Sequence, residues 1–142
     1  MKTYVEFRSN QFPPYEGEED AVNPGRWGKR VAEFLAARLP AQGFEVDQPL
    51  SMDWGWILPI VNADFPLTIS IGNYDQYPDE GFLCFIEPHT PSIRQWFRKI
   101  DTQTRIEALQ RALDAILSAE PAVHHIRWWT HEEFNRPGGP KY

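Results

Sequence analysis

Between residues 44 and 87 the sequence runs as strand-length apolar stretches separated only by turn signals, and that block limits the fold more than any other feature. Leu67, Ile69 and Ile71 alternate with Thr68, Ser70 and Gly72, the pattern of a strand with one buried face. Residues 82–87 are nearly all apolar, as expected of a central strand covered on both sides. Residues 54–62 make a longer run, but Pro59 lacks a ladder donor and pushes it toward an edge or a bulge. A short strand is expected at 44–48, and 73–81 read as a polar turn. Connections this short make the block an antiparallel meander, because parallel neighbours need long crossovers.

Helical periodicity lies only outside the block. Asn23 suits an N-cap and Pro24 the first helical position. Trp27, Val31, Phe34, Leu35 and Leu39 then share one helix face, which Pro40 and Gly43 end. Gly25 and Gly28 each cost such a helix about 1 kcal/mol relative to Ala. They therefore point to close approach of another backbone, with anion binding at exposed N–H groups as the alternative. After Pro91, Ile93, Trp96, Phe97 and Ile100 have helical spacing, and Ile106, Leu109, Leu113, Ile116 and Leu117 continue it after a restart at Asp101 or Thr102. Residues 4–8 open the chain as a strand and 123–129 form the last one, before the capping-box sequence Thr130-His131-Glu132-Glu133. The order β-α-β-β-β-β-α-α-β does not alternate regularly, which argues against a doubly wound parallel sheet. The expected fold is a single α+β domain over 1–135, a two-layer sandwich of mainly antiparallel sheet with its helices on one face, followed by a loose tail at 136–142.

Chemistry is harder to find. Fourteen Lys and Arg against twenty Asp and Glu leave a net charge of −6, which argues against a nucleic-acid partner. No apolar stretch approaches the roughly 20 residues of a membrane span, and charge interrupts any secretory core at the N-terminus, so a cytoplasmic protein without membrane contact is expected. The acidic run Glu16, Glu18, Glu19, Asp20 reads as a solvated loop. Cys84, inside Phe82-Leu83-Cys84-Phe85-Ile86, reads as an inert core thiol. His89 falls in a loop, and His131 precedes two glutamates without forming a zinc motif. Adjacent His124 and His125 should leave opposite faces of a strand, so they should not share an ion. No catalytic set, cofactor or metal is expected.

What stands out is aromatic weight: six Trp, five Tyr and nine Phe. If Ile126 and Trp128 face the helices, then His125, Arg127 and Trp129 share the opposite face with Thr68 and Ser70, joined by Tyr4, Glu6 and Arg8. That face, with Trp54, Trp56 and the turn residues Tyr74, Asp75, Tyr77 and Asp79, is the candidate binding surface, since Trp, Tyr and Arg anchor interfaces. The ordinary alternative is a wet sheet face with rings filling a small core.

The segments Asn23-Pro24-Gly25-Arg26-Trp27-Gly28, Asp53-Trp54-Gly55-Trp56, Gly72-Asn73-Tyr74-Asp75-Gln76-Tyr77-Pro78-Asp79 and Phe82-Leu83-Cys84-Phe85-Ile86-Glu87-Pro88 resemble those of a family of small bacterial proteins, a resemblance that implies no activity. Small acidic α+β proteins of that kind include immunity proteins that neutralise toxins. The expectation is thus a non-enzymatic protein-binding module, of the toxin-neutralising type, that uses its aromatic-polar sheet face on a basic protein partner. One alternative is a small enzyme or small-molecule binder whose cleft joins Asp53, Asp75 and Asp79 to His89 or His125. The other is a structural domain that forms a homodimer.

Overall fold

The strand register follows directly from the alternation of apolar residues. In the computed structural model, which describes residues 1–73 and 80–139, six strands form one antiparallel sheet in the order β2-β3-β4-β5-β1-β8. They are β1 (Lys2–Arg8), β2 (Leu50–Met52), β3 (Gly55–Ile60), β4 (Leu67–Asn73), β5 (Gly81–Glu87) and β8 (His124–Thr130). The meander β3-β4-β5 is as expected, and β1 inserts between β5 and β8. The class is α+β.

One face is dry. Trp56, Ile71, Cys84, Val5 and Trp128 oppose one another in register, with Leu58, Ile69 and Ile86 forming a parallel row. Against this face pack α2 (Lys29–Arg38) through Val31, Ala32 and Leu35, and α3 (Gln103–Ala119) through Ile106, Leu109, Leu113, Ile116 and Leu117. Both main helices therefore lie on the expected side. Cys84 is buried there, and burial pushes its thiol far up, so it is an inert core thiol.

Pro59 confirms its edge character. Strand β2 is only three residues long, and beyond it the outer flank of β3 meets the irregular segment 45–47 at the bridge Val46–Ile60, with Asp47 N–H donating to the Pro59 carbonyl and Val61 N–H to the Glu45 carbonyl, each at 2.9 Å. That bridge replaces the strand expected at 44–48.

Four further expectations are corrected. Residues 93–100 form no helix but a separate two-stranded hairpin, β6 (Ser92–Gln95) and β7 (Arg98–Asp101), in which Ile93 opposes Ile100. Positions 93 and 100 meet equally well across two helical turns or across a two-residue hairpin turn, so the spacing alone could not separate the two. Here Ile93 and Ile100 pack on the core, while Trp96 and Phe97 form the turn.

The first long helix begins at Lys29 rather than Pro24, because Gly25 at φ 79° turns the chain and the Asn23 side chain donates to the Asp53 carbonyl instead of capping. The acidic segment is not wholly solvated: Glu18–Ala21 form a short helix, α1, and Glu18 is buried. Finally, His125 adopts φ 58° where the β1–β8 register slips between Glu6 and Arg8, a bulge that brings the His124 and His125 rings to 4.9 Å instead of sending them apart.

Candidate functional site

The reverse face of the sheet carries a single line of residues across all six strands: Leu50, Ile57, Ser70, Phe85, Tyr4 and Trp129 oppose one another in turn. Strand alternation requires Glu6 and Arg127, opposed in register, to share that side, as expected. The face is not bare. Thr130 caps the five-residue α4 (His131–Asn135) in a complete capping box, accepting from Glu133 N–H at 3.0 Å while the Glu133 carboxylate accepts from Thr130 N–H at 2.9 Å. This folds the chain back over β1 and β8 and seats Phe134 on Tyr4, ring centroids 4.8 Å apart. Tyr4 stacks on Phe85 at 5.0 Å, and Phe85 meets Trp54 at 6.1 Å, so four rings run across the sheet from the helix to the β2–β3 turn.

The expected site residues separate along this line. Trp129 is half-buried and its indole donates to Glu6 at 3.2 Å, whereas Arg127 is exposed. Trp54 is 41% exposed and, with Leu50 and Met52, leaves the β2 end of the face open and apolar. Trp56 lies on the opposite side, buried beneath α2. His125 sits exposed in the bulge. Tyr74, Asp75, Tyr77 and Asp79 lie outside the described residues.

The histidines assemble differently from either expected combination. His89 and His131 stack at 3.7 Å, 10° from parallel, and His89 Nδ1 lies 3.7 Å from Glu87. Burial holds the Tyr4 hydroxyl above the ordinary tyrosine range, and that hydroxyl shares a hydrogen bond with His131 Nδ1 at 3.0 Å. The Asn135 amide donates to the His131 carbonyl at 2.8 Å and lies 3.3 Å from that same ring nitrogen. These contacts tie α4 to the sheet. Among the described residues no group of three or more His, Cys, Asp or Glu side chains could hold a metal ion.

Glu133 gives this tie a pH dependence. Accepting the Thr130 N–H holds its carboxyl below the ordinary carboxylate range. A lowered native pKa means the capping contribution is complete above the ordinary value near 4.3 and is lost as pH falls through the native one. Ring-proton shifts of Tyr4 and Phe134 should therefore move on acidification below about pH 4, and Glu133→Ala should produce the same shifts already at neutral pH. Unchanged spectra in that variant would separate the cap from the seating of α4.

The least expected polar centre lies beneath the other face. The Glu18 carboxylate accepts from Tyr15 N–H at 2.9 Å, Gly28 N–H at 2.8 Å, Lys29 N–H at 2.9 Å and the Trp56 indole at 3.0 Å. Both readings of Gly28 hold together. A Cβ there would crowd Ile71 at 3.2–3.3 Å, and its N–H does bind an anion, supplied by the chain itself. The sequence signal was the pair of glycines before an amphipathic run; nothing in the acidic run singled out Glu18.

The most exposed large apolar side chains among the described residues lie elsewhere, on residues that the sequence reading did not single out for binding. Trp96 and Phe97 are 95% and 96% exposed at the hairpin tip, flanked by exposed Arg94, Arg98 and Lys99. Arg94 pairs across the hairpin with Lys99, and Gln95 with Arg98. No family model matches this chain, and neither does a curated protein or a solved structure. No helix among the described residues is long and apolar enough to cross a membrane.

Proposed function

We propose that this chain is a non-enzymatic protein-binding module that docks through the tip of the β6–β7 hairpin. The observation that carries the proposal is the exposure of two adjacent rings, Trp96 and Phe97, on an element whose other apolar residues, Ile93 and Ile100, face the core. Burying one such side chain is worth about 1.5–3 kcal/mol, so two left in water are a reserve of binding energy for whatever covers them. Trp and Arg are also the residues over-represented among interface hot spots. Because α4 covers part of the aromatic sheet face by seating Phe134 on Tyr4, we move the docking element from that face, where it was expected, to this hairpin. Leu50, Met52 and Trp54 remain as a second, smaller apolar patch on that face.

Because the tip lies outside the core, Trp96→Ala/Phe97→Ala should change folding stability by no more than about 0.5 kcal/mol. The same double variant should lose the proteins that the wild type retains from a lysate of its native cell. Trp129→Ala and Arg127→Ala, on the sheet face, should keep them. The opposite pattern, loss with the face variants and retention with the tip variant, would return the site to the sheet.

A further inference from the structure

We infer that the occupant of this tip is a second copy of the chain, bound head to tail; the inference rests on the hairpin being the docking element. Charge points the same way. Arg94, Arg98 and Lys99 against Asp101 give residues 92–101 a net charge of +2, so with −6 for the whole chain the remainder carries −8. A basic tip is drawn to the acidic body of another copy, while that same body is repelled by an anionic lipid surface.

The body also offers a receptor. Between α2 and residues 46–49 lies an open groove of about 570 Å³, lined by Ala36, Val46, Pro49 and Trp56, with Glu33 and Asp47 against the single cation Lys29. Its lining mixes polar and apolar groups, and its two carboxylates against one ammonium suit a tip flanked by arginines. The chain's own tip does not fill it. The rings are almost wholly exposed, and the hairpin borders Ala63 and Asp64 instead.

Tip and groove are different surfaces, so the contact is heterologous: each copy uses its tip on one neighbour and its groove on another, and the assembly grows or closes into a ring. Two rings of about 150–250 Å² each bury less than a standard interface, so the association is weak and dependent on concentration and salt.

Sedimentation equilibrium tests this directly. The wild type should rise above its 16.5 kDa monomer mass with a midpoint on the order of 100 µM. Trp96→Ala/Phe97→Ala removes the tip, and Asp47→Lys/Gln48→Lys reverses the exposed rim of the groove; each variant alone should stay monomeric. Mixed in equal amounts they should form a one-to-one pair and nothing larger, because each retains the half the other lacks. A wild type monomeric at about 1 mM, a tip variant that still associates, or a mixture that fails to pair would each overturn the inference. A monomeric wild type whose tip variant nevertheless loses its cellular partners would leave the binding-module reading standing; no association and no dependence on the tip would remove both.

Discussion

Glu18→Ala is expected to lower the free energy of unfolding by about 3–5 kcal/mol. Four N–H donors converge on this one buried carboxylate: those of Tyr15, Gly28 and Lys29 from the backbone, and the Trp56 indole. Removing the acceptor leaves the start of α2 without its cap, worth about 0.5–2 kcal/mol, and strands donors at roughly 1–3 kcal/mol for each that stays dry. Water reaching the vacated space sets the lower end. Since small proteins are stable by only about 5–15 kcal/mol, the loss would take a large share of the total. Glu18→Gln keeps an acceptor oxygen but places an amide NH₂ among donors, so it should fall between the variant and the wild type. Urea denaturation of the three proteins checks the order; a loss below about 1 kcal/mol for Glu18→Ala would show that the donors are served some other way.

The second large effect belongs to Gly55. Its φ is 157°, and a Cβ built on it would penetrate the carbonyl oxygen of Ile71 on the neighbouring strand. The crowding atoms, from Ile71 and Gly72, are all backbone, so none can swing aside as a side chain would. Gly55→Ala should cost about 2–4 kcal/mol, at or above the usual range for overpacking. It should also disturb two sites at once, because the turn it anchors sends Trp54 to Phe85 on one face and Trp56 to Glu18 on the other. The double variant with Glu18→Ala should then be less destabilised than the sum of the singles, since both act on the Trp56 indole. Strict additivity would mean that the strain at Gly55 does not reach that hydrogen bond.

Much of the sheet was legible because alternation is a local signal and the meander has short turns. Leu67, Ile69 and Ile71 do face the helices, and the side of Tyr4, Glu6, Arg127 and Trp129 was given by parity alone. The helix over Ile106, Leu109, Leu113, Ile116 and Leu117 was legible for the same reason, being long and strictly periodic. The hairpin was not. Its turn is Trp96-Phe97, with Trp96 at φ 58°, where Gly or Asn would have announced a turn. Large rings at 96 and 97 looked instead like the middle of a buried helix face. Glu18 was hidden because a carboxylate in an acidic run looks solvated unless its donors are known, and three of the four come from the backbone. The bulge at His125 was equally unreadable, since a register slip leaves no compositional mark.

The docking tip is tested most directly by placing the photo-cross-linker p-benzoylphenylalanine at single positions in the intact chain, expressed in its native cell. Introduced in place of Phe97, it should give a discrete heavier adduct on irradiation, and introduced in place of Arg127 on the sheet face it should give little or none. Adducts from position 127 or 54 with none from position 97 would contradict the account.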